Sequence, residues 1–251
     1  MSLRGWPDPG ADEPQHAVIG SKGQAILDVL GLPYWFLEPS AEHLATVRRA
    51  AMDKTGPAFV LVPKGTIAPA PAGTAPGPAF GRSHAIAALR PYLAGALVLA
   101  TTGYIGRELY GQADADTNFY MQGSMGRALA LGLGTALGTP DRRVVVIDGD
   151  GAVLMHQGTC VTVGAAAPAT LTHTILDNGT YESTGGQATA SGRMDWVRMG
   201  AAAGYRSSTV CASAAALAEA LRAIAGRPGP HLVVAKTQPE YGAPRPESPP
   251  H

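Results

Sequence analysis

The sequence predicts an α/β chain, a doubly wound parallel sheet preceded by part of a second α/β domain. Short apolar, β-rich runs recur at 97–101 (LVLAT), 144–147 (VVVI), 171–176 (LTHTIL) and 232–236 (LVVAK), and helix-compatible stretches lie between them. Strands that alternate with helices imply right-handed crossovers and a parallel sheet. A Pro/Ala/Gly-rich stretch at 67–81 (IAPAPAGTAPGPAFG) splits this pattern in two and marks a domain boundary.

Taken in order, residues 31–39 (GLPYWFLEP) read as a strand, 41–54 as a helix and 57–65 (PAFVLVPKG) as a second strand. Residues 1–66 therefore carry α/β pattern, but too little for a complete sheet. After the linker at 67–81, the domain at 82–238 begins with the strand at 97–101. A helix at 124–137 leads to the strand at 144–147, and a helix at 152–165 leads to the strand at 171–176. Ser213 caps an Ala-rich helix at 214–224 ahead of the strand at 232–236. Residues 239–251 are proline-rich and aperiodic, and read as a disordered or surface-lying tail.

Composition narrows the function classes. Apolar residues make up 45% of the 251, enough to fill a core, and Lys plus Arg equals Asp plus Glu at 19 each. No global field therefore attracts nucleic acid or an anionic membrane. No apolar run reaches the roughly 20 residues of a membrane span, and the N-terminus lacks a signal-peptide stretch, so a cytoplasmic location is expected. Cys160 and Cys211 have neither metal-ligand nor redox spacing. Both read as small core residues, which leaves no disulfide framework and no zinc site.

The informative segment is 144–178, VVVIDGDGAVLMHQGTCVTVGAAAPATLTHTILDN. It sets an acidic glycine turn at the end of one buried strand and an Asp-Asn pair at the end of the next. In a parallel sheet both ends open on the edge where ligands of such folds bind. Asp150 offers a hard carboxylate oxygen and Asn178 an amide oxygen, a pair suited to Mg²⁺. Gly149 and Gly151 admit a close backbone approach, and a helix starting near Ala152 turns free amides toward an anion. A diphosphate bridged by Mg²⁺ satisfies both features, although GDG by itself is also a common strand-to-helix turn.

GDG, 25 intervening residues, then Asp177-Asn178 resembles the signature of thiamine diphosphate enzymes, with Asp177 in place of the first Asn of a pair. The resemblance implies the thiamine diphosphate-binding fold for residues 82–238. It also implies a third metal ligand in the backbone carbonyl of Thr180, with Tyr181 beside it. Phe119–Gly126 (FYMQGSMG) looks like the loop of that superfamily that grips the aminopyrimidine ring. By that likeness Gly123 accepts from its amino group, Ser124 lies alongside, and Met125 wedges under the cofactor, although Met125 also reads as an ordinary core residue.

The strings ATTGYIGREL, FYMQGSMG, RRVVVIDGDGA, LDNGTYESTGGQAT and, upstream, DEPQHAVIG together resemble the phosphonopyruvate decarboxylases of this superfamily, with the sulfopyruvate decarboxylases as close relatives. The implied reaction is decarboxylation of a 2-oxo acid, 3-phosphonopyruvate, to phosphonoacetaldehyde and CO₂, dependent on thiamine diphosphate and Mg²⁺. Thr102 and Gly103 resemble diphosphate contacts. Ser183, Thr184 and Gln187 sit where a new helix is expected and are candidates to face the substrate, Thr184 among the catalytic ones. His16 is a candidate proton shuttle, weighed evenly against a surface role. Arg107 is a possible phosphonate contact on charge grounds, and an ordinary ion pair is as good a reading.

The family carries a complete pyrimidine-binding domain ahead of its diphosphate domain, so residues 1–66 correspond to the C-terminal part of one. The Glu that activates the cofactor is expected upstream of Met1, and neither Glu13 nor Glu38 occupies a matching motif. Three readings follow: a truncated decarboxylase, one subunit of a split enzyme, or a cofactor-binding remnant without catalysis. A homo-oligomer or a complementary pyrimidine-domain chain is expected as partner, and the chain alone is expected to be inactive and poorly soluble. Thiamine diphosphate oxidoreductases share the GDG logic, but two scattered cysteines do not make an iron–sulfur site.

Overall fold

The computed structural model describes residues 4–8, 12, 16–67 and 79–240. Most of the expected linker, residues 241–251 of the expected tail, and Glu13 of the DEPQH string lie outside the described residues. The chain divides into two compact units, Met1–Pro71 and Ala72–Pro250.

In the first unit α1 (Ala17–Val29) is followed by β1 (Tyr34–Phe36), α2 (Ala41–Met52) and β2 (Phe59–Leu61), with β1 and β2 pairing in parallel. α2 starts where the sequence predicts because Ser40 Oγ accepts from the His43 N–H, and it ends at Met52. Leu27 and Leu61 form the small core, onto which Trp6 and Phe36 stack with ring centroids 4.6 Å apart. Val18, Ile26, Val29 and Leu30 on and after α1 remain exposed.

The second unit is ordered α3 (Arg82–Leu93), β3 (Leu97–Ala100), α4 (Tyr104–Ala113), β4 (Asn118–Tyr120), α5 (Ala128–Gly138), β5 (Val144–Gly149), α6 (Asp150–Met155) and α7 (Gly158–Ala166). Then come β6 (Leu171–Asp177), the two-residue strands β7 (Thr180–Tyr181) and β8 (Gln187–Ala188), α8 (Trp196–Ala203), β9 (Ser207–Cys211), α9 (Ala214–Ile224) and β10 (His231–Lys236). Six strands form one all-parallel sheet in the order β4-β3-β5-β6-β10-β9.

The sheet is covered on both faces, which is why its central strands read as unbroken apolar runs. Side chains alternate along β5: Val145 and Ile147 pack with Ile86, Leu89, Leu109 and Leu217 of α3, α4 and α9. Val144 and Val146 pack with Leu129, Leu133, Val163 and Trp196 of α5, α7 and α8. Both cysteines are buried and free.

Three boundaries differ from the sequence reading. The helix expected from Ser124 starts at Ala128, because Gly123, Ser124 and Gly126 all take positive φ and hold residues 121–127 as a loop. The single helix expected at 152–165 is two, α6 and α7, broken at His156, whose ring packs so close to Gly126 that a Cβ there would lie 2.5 Å from it. No α-helix starts at Ser183: Glu182–Thr184 is a 3-10 turn inside the β7–β8 hairpin. Among the described residues no helix is long and apolar enough to cross a membrane.

Candidate functional site

The site is built where the sheet changes direction. β3 and β5 are neighbours, paired Ala100 to Ile147, yet β3 continues into α4 on one face and β5 into α6 and α7 on the other. Their C-terminal ends therefore diverge and leave a crevice, the position at which open α/β sheets bind ligands. Thr101, Thr102, Tyr104 and Ile105 line one wall of the cleft and Gly149, Asp150, Gly151 and Ala152 the other. Asn178, Thr180, Tyr181 and Glu182, after β6, close it together with Met125 and Ser183.

Asp150 is 2% exposed, at the first position of α6. Its Oδ2 accepts from Thr189 Oγ1, and among the described residues no Lys or Arg pairs with it. Burial pushes its carboxyl above the ordinary value, the Thr189 hydroxyl opposes that shift, and the negative charge of Asp177 adds to it. A buried carboxylate without a cation is costly, so the position favours a bound positive charge.

Asn178 accepts from the Thr180 N–H through Oδ1 at 3.0 Å, an arrangement that leaves a second lone pair on that oxygen. Thr101 Oγ1 and Thr180 Oγ1 are buried and lack a hydrogen-bond partner among the described residues. A carboxylate, an amide oxygen and two unsatisfied hydroxyls on one cleft fit a hard cation carrying a phosphate group. No trio of His, Cys, Asp or Glu among the described residues competes as a metal site.

Asp177, which stands where the signature has Asn, is not part of the cleft lining. It is 2% exposed and accepts from Gly179 N, Ser191 Oγ (2.8 Å), Trp196 Nε1 (2.7 Å) and Lys236 Nζ. Four donors, one of them a cation, make it a strut beneath the loop, and Lys236 on β10 supplies the charge that an acid needs there. Thr189, between Asp150 Oδ2 and Ser191 Oγ, ties this strut to the other wall.

Glycine is required at two points. A Cβ on Gly151 would lie 2.4 Å from the Tyr181 ring, and Gly103 caps α4 at φ +89° with Ser183 beside it. Of the remaining candidates, Thr184 lines the cleft, is exposed, and places its hydroxyl against Tyr181 O and Gln187 Oε1, whereas Gln187 itself sits on β8 outside the lining. Gly123 and Ser124 belong to the positive-φ loop that presents Met125. Arg107 is buried on α4 and is not part of the lining. His16 lies in the other unit, at the start of α1, with Nδ1 3.1 Å from Asp12 Oδ1.

The sequence reading missed Thr101, Thr189, Glu182 and Arg82. Thr101 was legible as the last residue of an apolar strand run. The other three reach the site through tertiary contacts that local pattern does not carry.

Residues 108–235 match the model for the C-terminal TPP-binding domain of thiamine pyrophosphate enzymes. The chain is 41% identical to a phosphonopyruvate decarboxylase of Streptomyces viridochromogenes, an alignment over 88% of this chain and 61% of that protein. It thus spans about three fifths of the length of the phosphonopyruvate relatives it matches. It is 35% identical to the sulfopyruvate decarboxylase β subunit of Methanococcus maripaludis over 63% of this chain and 84% of that one. Among solved structures, a thiamine diphosphate-dependent 4-hydroxybenzoylformate decarboxylase of Rhodococcus jostii superposes with a TM-score of 0.57 at 19% identity, over 68% of this chain and 35% of that one.

Proposed function

Because this chain belongs to the thiamine pyrophosphate enzyme family, we propose that its cleft holds the diphosphate and magnesium end of the cofactor and serves decarboxylation of 3-phosphonopyruvate to phosphonoacetaldehyde and CO₂. The observation that carries this reading is the buried Asp150, without a cation among the described residues, on a cleft shared with Asn178 and two unsatisfied hydroxyls. Support for the substrate comes from the 41% identical relative.

In this reading Asp150 and Asn178 give side-chain oxygens and Thr180 its carbonyl to Mg²⁺. Thr102, Gly103, Gly149, Gly151, Ala152 and Tyr181 surround the diphosphate. Gly123, Ser124 and Met125 bear on the aminopyrimidine, with Met125 as the apolar prop. When bound, the cofactor supplies the electron sink that a 2-oxo acid needs to lose CO₂. The chain's own residues then orient the substrate and exclude water. Ser183 and Thr184, on the lining, are the candidates to face it; Gln187 and the buried Arg107 lie outside that lining in this structure, and His16, in the first unit, is kept as the candidate to move a proton.

By the same resemblance, residues 1–66 are the C-terminal part of a pyrimidine-binding domain and 82–238 the diphosphate domain; composition sets 67–81 as the linker and 239–251 as the tail, although Phe80 and Glu240 at their edges are buried in the second unit, and the enzyme is read as cytoplasmic. The activating Glu comes from a pyrimidine-binding domain, in a homo-oligomer or on a complementary chain. A second reading, a sulfopyruvate decarboxylase β subunit, is favoured by the match that covers 84% of the Methanococcus protein.

The test supplies the chain with thiamine diphosphate, Mg²⁺ and either oxo acid, with and without a complementary pyrimidine-domain chain. Phosphonoacetaldehyde as the preferred product supports the first reading, and sulfoacetaldehyde the second. A cofactor-loaded, partnered sample that turns over neither acid contradicts both and leaves a binding remnant.

A further inference from the structure

Asn178 can turn either its oxygen or its nitrogen toward the cleft, and only the oxygen can ligate a metal. Its two neighbours decide which. The Thr180 N–H only donates, so the atom 3.0 Å from it is Oδ1. The Glu182 carboxylate only accepts, so the atom 2.8 Å from its Oε2 is Nδ2.

Glu182 is itself held by residues from beyond its own turn, Arg82 on the cleft lining among them. Its Oε1 accepts from Arg82 Nη1 at 3.1 Å and from the Glu240 N–H at 3.0 Å. Arg82 is 5% exposed and also reaches Glu240 at 2.7 Å and Glu108 at 3.3 Å. Glu240 in turn accepts from the N–H and hydroxyl of Ser83. One buried guanidinium thus joins the start of α3, α4, the β7–β8 turn and the segment after β10.

We infer that Glu182, clamped by Arg82 and the Glu240 N–H, is a positioning residue that locks the Asn178 amide with its oxygen available to magnesium, a role that rests on the metal reading above. The clamp matters because it fixes which end of residue 182 faces Asn178. In Glu182→Gln the two donors, Arg82 Nη1 and Glu240 N, claim the single remaining oxygen. The new amide nitrogen then faces Asn178 Nδ2, donor against donor. Arg82 keeps Glu108 and Glu240, so its charge stays compensated and the variant should fold.

The test is a double-mutant cycle on the full chain with two readouts. In the metal-free chain, the Asn178 side-chain NH₂ resonances, assigned by their loss in Asn178→Asp, should be shifted downfield and protected from exchange. Glu182→Gln should remove that signature while the rest of the spectrum stays folded. Mg²⁺ titrated with thiamine diphosphate should bind about tenfold more weakly to Glu182→Gln, the scale on which partners of metal ligands act.

In the Asn178→Asp background the sign should reverse. A carboxylate at 178 opposes Glu182 and welcomes the amide of Gln, so Glu182→Gln should tighten Mg²⁺ there. A purely structural Glu182 weakens both backgrounds alike, and that result overturns the proposal, as does an Asn178 resonance unmoved by Glu182→Gln. If the unmodified chain binds no Mg²⁺, the metal reading falls, while the resonance still decides whether the lock exists.

Discussion

Replacing Gly151 by Ala tests how tightly the two walls of the cleft are joined. The added Cβ would lie 2.4 Å from Tyr181 Cε1, 2.8 Å from Cδ1 and 3.2 Å from Cζ. Carbon atoms rest at about 3.5–4.0 Å, so the ring must retreat by roughly 1 Å. Tyr181 is not free to do so alone. Its carbonyl accepts from Gly186 N and Thr184 Oγ1, and it follows Thr180 in β7, so a retreat drags the turn that carries Asn178. Overpacking costs about 1–3 kcal/mol, and Ala returns about 1 kcal/mol of helix propensity in α6. The expected net loss is about 0–2 kcal/mol, at roughly 2–4 °C in Tm for each kcal/mol. Thiamine diphosphate affinity should drop by about tenfold or more, which corresponds to about 1.4 kcal/mol. Gly134→Ala is the control. It is exposed in α5 with nothing within 4 Å, so it should gain about 1 kcal/mol and leave the affinity unchanged. Differential scanning calorimetry and cofactor titration read both effects. Unaltered affinity and a raised Tm in Gly151→Ala would refute the coupling of Tyr181 to the metal turn.

Lys236→Met removes the cation beside the buried Asp177 and should cost about 1–2 kcal/mol in denaturant unfolding. Lys236 is 40% exposed and three other donors stay on the carboxylate, which keeps the loss below that of a fully buried pair. A wild-type midpoint would show that Asp177 needs no cation. His173 supplies a pH-dependence: burial opposes its charge, but Asp148, 3.7 Å from Nε2, and Cys160 outweigh that and raise it to about 9 from the ordinary 6.5. A raised folded value means stability that is complete below about pH 6.5 and lost as pH climbs through about 9, at most about 3 kcal/mol. Unfolding free energy should fall over that window in the native chain and much less in His173→Gln, and parallel slopes would contradict the assignment.

The parts of the fold legible in the sequence are those that a single strong signal controls. β5 and β6 are buried on both faces, so they stand out as apolar runs, and Ser213 announces α9 with a cap that the structure shows bonding Ala216 N. Other elements carry weaker signals. β4 has three residues, β9 is the polar edge strand SSTVC, and α4 carries two glycines in a helix that propensity alone disfavours. The loop at 121–127 resembles a helix start in composition, and only the positive φ of Ser124 and its flanking glycines explains why α5 waits for Ala128.

The site divides in the same way. Asp150 and Asn178 follow from strand ends in adjacent register, since a parallel sheet puts both on one edge. Asp177 gave no hint of its role, because its partners Trp196 and Lys236 lie on α8 and β10 and meet it only when the sheet forms. The Arg82 cluster was invisible for a related reason: its three glutamates are 26, 100 and 158 positions away in the chain.

The central claim, that the cleft at Asp150 takes the metal-bridged diphosphate, is tested most directly by calorimetric titration of thiamine diphosphate with Mg²⁺ into the chain and into Asp150→Asn. The variant removes a buried charge that the metal-free chain keeps at a cost, so its Tm without ligand should equal or exceed that of the native chain. Saturable binding that needs Mg²⁺ and disappears in this folded variant is the predicted result. Binding of equal strength in Asp150→Asn, or none in the native chain, would contradict it.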